Sequence, residues 1–405
     1  MSKKKQNKVT FLLTQDLESP SGLGRYLPLA KNLSKEGFTV SIFALHSDFY
    51  KLQHRSLFID EVKVTYVAQM HVRKESNQTQ YFSFMRLIWI SILATWKLLV
   101  HAIRLPADTI VIGKPHPMNS IAGLIGGRFH GSRIVLDCDD YEAASNYFSS
   151  TWQQWIIKKF ENTMPKLVDH ITTNTYFNKE RMMGLGVPAE KIDYVPNGID
   201  KERFTNLDPL IEAQIRQSLN LEGKKVIAYI GSLSLANHPV DLLIHAFKLI
   251  NEIDDETNLL IVGGGKDIDV LKALVKNHGI EKSVKFVGRV SSDLVPYYYK
   301  LAHVTVDPVY DNDSARGRCP LKMFESWAMS KPYVTSNVGD RCSLVGDDLM
   351  KLLSKPGDHE SLAQKIILLL NDSELANDTI HAGNRKVVNY YWDYLTNNNI
   401  HVYSQ

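Results

Sequence analysis

Apolar residues along the chain follow two alternating rhythms. Short runs of strand length are separated by longer stretches with helical spacing, the signature of parallel sheets covered by helices. In the first half the runs predict strands at Val9–Leu13, Thr39–Leu45, Val62–Val67, Thr109–Ile112, Arg133–Leu136, His170–Thr173 and Lys191–Val195. The rhythm then restarts at Lys225–Ile230, Leu259–Val262, Val284–Val287, Val304–Pro308 and Pro332–Ser336. Two such series predict an α/β chain of two doubly wound, Rossmann-like domains. Their join falls around Asn197–Asn206, where an Asn-Gly turn signal interrupts the pattern. The expected division is 1–200 for the first domain and 201–380 for the second, with 381–405 a closing helix. Ligands of such sheets sit beyond the carboxyl ends of the strands, so the residues after each strand are the candidates.

One helix breaks the soluble pattern. Along Phe84–Arg104, Arg86, Lys97, His101 and Arg104 fall within roughly 60° of one another and leave the rest of the circumference apolar. Only ten uncharged residues separate Arg86 from Lys97, against about 20 for a bilayer span. Trp89 and Trp96 beside a basic stripe suit an interfacial helix on an anionic membrane, and a core helix covering the first sheet is the alternative.

Length and charge narrow the class. The 405 residues suit two domains, and 44% hydrophobic with 22% charged residues fits a folded globular chain. A net charge of +3 supplies no global basic field, which argues against a nucleic-acid partner and requires any anionic ligand to be held locally. Cys138, Cys319 and Cys342 fit neither a disulfide framework nor a zinc spacing, as expected of a cytoplasmic protein. The N-terminus is basic, but the apolar run behind it is shorter than a signal core and reads as a first strand.

After the first strand comes Thr14-Gln-Asp-Leu-Glu-Ser-Pro-Ser-Gly-Leu-Gly-Arg-Tyr. Gly22 and Gly24 would let backbone approach an anion at the start of a helix. Leu27 stands where a dinucleotide fingerprint needs its third glycine.

In order, Ser21-Gly-Leu-Gly-Arg-Tyr, Gly186-Val-Pro-Ala-Glu-Lys-Ile-Asp-Tyr-Val-Pro-Asn-Gly-Ile-Asp200, Ile230-Gly-Ser-Leu, Leu260-Ile-Val-Gly-Gly-Gly265, Leu321-Lys-Met-Phe-Glu-Ser-Trp-Ala-Met-Ser-Lys-Pro332 and Tyr391-Trp-Asp-Tyr make the chain resemble glycosyltransferase family 4 nearly end to end. The resemblance implies a GT-B fold: two Rossmann-like domains facing a central cleft, with a C-terminal helix crossing back to the first. It also implies retaining transfer of a sugar from a nucleoside-diphosphate sugar, which is the donor substrate, with no separate cofactor. The acceptor would be a saccharide or lipid-linked saccharide at the inner face of the membrane. By position, Gly22, Gly24 and Arg25 belong to the glycine loop, and Glu325 would hold the ribose hydroxyls.

The chain departs from the family pattern at the donor site. Gly317 stands where E-x7-E needs its first glutamate, Ser232 stands at the usual Arg, and Asn237 or His238 stands near the usual Lys. Replacement cations lie close by in Arg316, Arg318 and Lys322, expected to clamp the diphosphate with the amides at the start of the Glu325 helix. In the first domain, Asp139 takes the place of a family histidine, and with Asp140 could stabilise positive charge at the anomeric carbon; so close a pair also raises one carboxyl's pKa. His116, after the strand Thr109–Ile112 and near Lys114, is a candidate acid or base. No metal is expected, although Asp137-Cys-Asp139 could form a D-x-D site. A sugar-nucleotide epimerase or phosphorylase, or a catalytically silent sugar-nucleotide binding protein, would share the same pattern.

Overall fold

The computed structural model describes residues 7–75, 78–146, 148 and 150–404, so Lys3–Lys5 of the basic N-terminus lie outside the described residues. The first domain carries strands β1 (Lys8–Leu13), β2 (Thr39–His46), β3 (Ser56–Ile59), β4 (Val62–Gln69), β5 (Val72–Glu75), β6 (Gln78–Tyr81), β7 (Thr109–Gly113), β8 (Arg133–Cys138), β9 (His170–Thr173) and β10 (Ile192–Tyr194). Eight of them form one sheet in the order β10-β9-β8-β7-β1-β2-β4-β3, and β5 and β6 form a separate hairpin. The second domain carries β11 (Val226–Ile230), β12 (Asn258–Val262), β13 (Val284–Gly288), β14 (Val304–Asp307), β15 (Tyr333–Ser336) and β16 (Leu353–Ser354), in the order β13-β12-β11-β14-β15-β16. All pairs in the two large sheets are parallel except β3 with β4.

Every strand expected from the apolar runs is present, because a parallel strand buried on both faces must be apolar throughout. Successive residues of β1 serve opposite cores. Val9, Phe11 and Leu13 pack with the helix Leu27–Lys35, while Leu12 packs with Ala94, Leu98 and Ala122 of the helices on the other face.

Strand order reverses between β1 and β7 in the first sheet and between β11 and β14 in the second. The crevice of each domain opens there, beyond the carboxyl ends of those strands.

The C-terminal region differs from the expected 381–405 return. The helix Ser373–Val387 still packs on the second domain, contributing Ala382 and Val387 to its core. The chain crosses back only at residues 388–391, where Tyr391 bridges Ile199 of the outgoing crossing. Two hydrogen bonds pair the crossings, Ile199 N to Tyr390 O at 2.7 Å and Trp392 N to Ile199 O at 3.1 Å. Beyond them Trp392, Leu395, Val402 and Tyr403 enter the first domain's core.

The helix Phe84–Arg104 is 21 residues long and, by length and composition alone, apolar enough to cross a membrane. Its buried row, Ile90, Ala94, Leu98 and Ala102, lies against the first domain, chiefly the helix Pro117–His130. One face is therefore core, as the alternative reading had it. The other exposes Met85, Trp89 (65%), Ile92 and Trp96 (60%).

Candidate functional site

The two crevices face each other across a cleft of about 370 Å³ lined from both domains. From the first come Pro20, Ser21, Gly24, Arg25, Lys114, Asp139, Asp140 and Glu142; from the second come Gly231, Ser232, Asn237, His238, Asp307, Arg318 and Lys322.

On the first-domain wall, Lys114 follows β7 and the carboxylates follow β8, so adjacent strands deliver opposite charges to one point. Lys114 Nζ donates to Glu142 Oε1 at 2.8 Å and Asp140 Oδ2 at 2.9 Å, and stands 3.0 Å from Asp139 Oδ1 as an ion pair. The Lys114 backbone has φ of 69°, a left-handed conformation costing a non-glycine residue about 1–2 kcal/mol. Its amide donates to Asp137 O and its carbonyl accepts from Asn119 Nδ2, which holds it there. Burial opposes the ammonium charge, yet Asp139, Asp140 and Glu142 keep the Lys114 pKa well above its ordinary value.

Three carboxylates around one ammonium leave a surplus of negative charge. Burial, with repulsion from Asp140 and Glu142 and against the pull of Lys114, pushes Asp139 up to about 7. Burial raises Asp140 in the same way. Glu142 goes the other way: burial is outweighed by Lys114 and His116, which hold it well below the usual carboxylate range.

His116 does not face the cleft. Its Nε2 lies 3.0 Å from Glu142 Oε2 and its Nδ1 lies 2.7 Å from Thr14 Oγ1, so both ring nitrogens are engaged behind the carboxylate wall. This corrects the expectation of a substrate-facing acid or base. The D-x-D alternative also fails to converge, because Asp137 is taken by Arg25 and Thr172 while Asp139 turns to Lys114. The carboxylate oxygens of Asp139, Asp140 and Glu142 lie close enough together to hold a cation, and the Lys114 ammonium bonds to or ion-pairs with all three.

Arg25 is likewise committed. Its Nε and Nη2 donate to the two oxygens of Asp137 at 2.7 and 2.6 Å, and Nη1 reaches Val195 O and Asn197 Oδ1. Both members of the pair are 1% exposed, so Arg25 ties the glycine loop to the interdomain crossing instead of offering a free cation. The loop is one π-helical turn, Gly22–Tyr26. A Cβ at Gly22 would stand 2.5 Å from Asp16 O, so Gly22 serves the fold of the loop and does not line the cleft. Gly24 does line it; a Cβ there would meet Leu321 of the second domain at 3.1 Å, and its carbonyl accepts from Trp392 Nε1 at 2.9 Å.

On the second-domain wall, Asp307 at the end of β14 is the organising group. It accepts from Lys322 Nζ at 3.0 Å and Arg341 Nη2 at 3.3 Å. Lys322 and Arg341 outweigh burial and hold the Asp307 carboxyl well below its usual range. Burial lowers the pKa of both Lys322 and Arg318 against the pull of Asp307, the carboxylate that Lys322 and Arg341 both pair with. Arg318 Nη2 is shut off from solvent and has no hydrogen-bond partner among the described residues. Burial, then Lys322 and Arg318, drive His238 well below its ordinary pKa, making it a neutral ring 3.5 Å from Lys322 Nζ.

Glycines make room for this wall. A Cβ on Gly231 would stand 2.5 Å from Lys322 Cε, and one on Gly263 (φ 138°) 1.8 Å from Gly231 O. Ser232 lines the cleft beside them, its carbonyl accepting from Tyr229 Oη at 2.7 Å. Asn237 closes the cleft by donating to Ser145 O of the first domain at 2.7 Å.

Of the three replacement cations, Arg316 is a correction. It lies at the end of the short helix Asp313–Arg316 and turns back to Asp311 at 2.7 and 2.9 Å, 44% exposed and away from the cleft. Glu325 lies one turn beyond Leu321 and Lys322 on the helix Leu321–Ala328 and is not among the cleft-lining residues. Its Oε2 accepts from Tyr299 Oη at 2.7 Å, and burial raises its pKa.

The sequence reading passed over Glu142, Asp307 and Arg341 and gave Lys114 no role. A cation requirement beside the acidic run Asp137–Glu142 was the available signal for Lys114.

Two family models match the chain in tandem, one described as glycosyltransferase family 4 over residues 21–203 and one as glycosyl transferases group 1 over residues 211–386. A GDP-mannose-dependent alpha-(1-6)-phosphatidylinositol monomannoside mannosyltransferase of Mycobacterium tuberculosis is 26% identical over 230 residues, covering 56% of this chain and 59% of the relative. The chain thus spans about six tenths of that relative's length. O-antigen chain mannosyltransferase B of Escherichia coli is 23% identical over 96% of this chain and 98% of its own. Among solved structures, sucrose-phosphate synthase from Thermosynechococcus elongatus superimposes with a TM-score of 0.76 at 17% identity, over 98% of both chains. Anabaena HepE in complex with UDP-glucose gives 0.72 at 18% identity, over 97% of this chain and 98% of that one.

Proposed function

The chain belongs to glycosyltransferase family 4 and has the GT-B fold, and from that premise we propose that it transfers a sugar from a nucleoside-diphosphate sugar to a saccharide or lipid-linked acceptor, with retention, in cell-surface glycan synthesis. The observation that carries this reading is the opposed charge of the two cleft walls. In the transition state negative charge grows on the departing diphosphate while the sugar becomes oxocarbenium-like. Lys322, paired with Asp307, and Arg318, whose Nη2 has no hydrogen-bond partner among the described residues, suit the first; the carboxylates around Lys114 suit the second.

In this reading the acceptor oxygen bonds to the anomeric carbon on the face from which the diphosphate leaves, and the hydroxyl proton passes to the departing phosphate oxygen. Asp139 and Asp140 would face the sugar and His238 would be a neutral contact beside the phosphates, whereas Glu325, hydrogen-bonded to Tyr299 outside the cleft lining, would reach the ribose only after a rearrangement. Closure of the cleft through Asn237 and Ser145 excludes water.

Location at the inner membrane face is part of the proposal. It is supported by the exposed apolar row Met85, Trp89, Ile92 and Trp96 beside the basic row of the same helix, and by Trp152 and Trp155 on the helix Thr151–Leu167, where Trp152 meets Phe84 edge-on at 5.4 Å.

The test is a thermal-shift screen of nucleotide sugars, led by GDP-mannose and UDP-glucose because those donors are named for similar proteins. Ligand at 100 times its Kd adds about 2.7 kcal/mol of stability. A donor that stabilises the protein and releases nucleoside diphosphate only with acceptor supports transfer. Conversion of donor alone to an epimer or sugar phosphate, or binding with no turnover toward any acceptor, would overturn it.

A further inference from the structure

A second cavity, of about 400 Å³, opens on the first domain outside the cleft. It lies at the carboxyl ends of β2 and β4, on the sheet edge that carries the glycine loop. Phe49, Tyr50 and Tyr66 give it aromatic walls, and Leu93, Lys97 and His101 close it from the helix Phe84–Arg104. The Tyr66 ring lies against the Leu17 backbone, in the segment that continues into Pro20, Ser21 and Gly24 of the cleft.

Arg55, Lys97 and His101 line the cavity and none of its lining residues is acidic, although Asp16 and Glu18 stand close enough to Tyr66 to raise its pKa. The Arg55 guanidinium stands 4.4 Å from the centre of the Phe49 ring, its face stacked and its donors left for a ligand. Neither Arg55 nor Lys97 forms an ion pair with any described residue, whereas neighbouring Lys51 is paired with Asp48 at 3.7 Å. Two unpaired cations above an aromatic floor make a site for a phosphate ester whose attached sugar or chain lies on the rings.

We propose that this cavity binds a phosphate or diphosphate group carried by the acceptor, held by Arg55 and Lys97 while the acceptor's sugar reaches the neighbouring cleft. The assignment to an acceptor rests on the transfer reading above. Two sources share the chemistry, a lipid diphosphate and a soluble sugar phosphate. Lys97 sits next to the exposed Trp96 on one helix, so a lipid-borne phosphate could arrive from the surface that Trp96 faces.

The test uses the full chain with its cleft saturated by the nucleoside diphosphate of its best donor, titrated calorimetrically with a short-chain prenyl diphosphate, mannose 1-phosphate and plain mannose. At least one phosphate probe is expected to bind in the presence of nucleotide, and plain mannose is not. A tenfold preference for the prenyl diphosphate identifies the lipid source, and the reverse the soluble one. Arg55→Ala/Lys97→Ala is expected to weaken that binding at least tenfold while nucleotide affinity and melting temperature stay unchanged, both side chains being exposed. Binding of phosphate probes only when the cleft is empty, or equal binding by the double variant, overturns the cavity's role. Sugar transfer with an unaltered acceptor KM in the double variant sinks the subsite and leaves the transfer reading standing. Phosphate binding at the cavity in a protein that turns over no nucleotide sugar refutes the assignment to an acceptor.

Discussion

Replacing Asp139 with asparagine should make the protein more stable and less active, and pH should separate this from an ordinary packing effect. The carboxyl is 4% exposed and shares Lys114 with two other carboxylates. Carrying it from its ordinary 3.8 to about 7 costs about 4 kcal/mol at pH 8, since each pKa unit is worth about 1.4 kcal/mol. The folded pKa is the raised one, so this stability is present below pH 4 and is lost as pH rises through 7. An asparagine amide in its place would avoid that cost, which already includes the pull of Lys114, so a gain of up to about 4 kcal/mol is expected, read as a rise of roughly 10 °C in Tm at pH 8. At pH 4 the variant and the parent should melt together. Loss of one stabiliser of the sugar's positive charge should lower kcat about 100-fold. Calorimetric melting from pH 4 to 8 with turnover at pH 8 checks both. A variant less stable at pH 8, a stability difference independent of pH, or an unchanged kcat would refute the reasoning.

Lys322→Ala should weaken nucleoside-diphosphate binding about tenfold to a hundredfold, the worth of a buried charge-assisted contact, while Arg316→Ala, paired outward with Asp311, should leave titration curves unchanged. Arg25→Met leaves the buried Asp137 carboxylate without its partner and should cost about 3–5 kcal/mol in denaturant unfolding. Trp89→Ala/Trp96→Ala should abolish flotation with anionic liposomes and leave nucleotide binding intact; flotation equal to the parent would remove the membrane from the proposal.

The repeated apolar runs sufficed for both central sheets, because a strand covered on both faces has no freedom to be polar. The elements absent from that reading sit at edges: β3 carries exposed Ser56, Leu57 and Phe58, β16 has two residues, and β5 and β6 form a detached hairpin. The residues after the strands led to Gly24 and Asp139, and the departures from the family pattern led to Ser232, His238 and Lys322; all five line the cleft, whereas Gly22 does not. What chain position could not separate was Arg318 from Arg316. They stand two residues apart, yet the turn at Gly317 after a four-residue helix sends one inward and the other to Asp311. Arg25 fits the motif by position, but its partner lies 112 residues away, and only the fold shows that its donors are taken. Lys114 was hidden for the same reason, since its three carboxylates arrive from the next strand.

The paired crossings at Ile199 and Tyr391 have a mechanical consequence. A single flexible link would let the two domains drift apart, tumble or swap partners between molecules. Two backbone segments hydrogen-bonded side by side instead make a narrow ribbon, stiff to stretching and soft chiefly to twist and bend about one line. If the cleft opens, this ribbon would favour a rotation about that axis over separation of the domains. Cutting the chain between residues 388 and 391 would not trim a tail. It would convert a hinge into a tether and leave the segment from Trp392 onward held in the first domain only by its packing and by hydrogen bonds such as Trp392 Nε1 to Gly24 O.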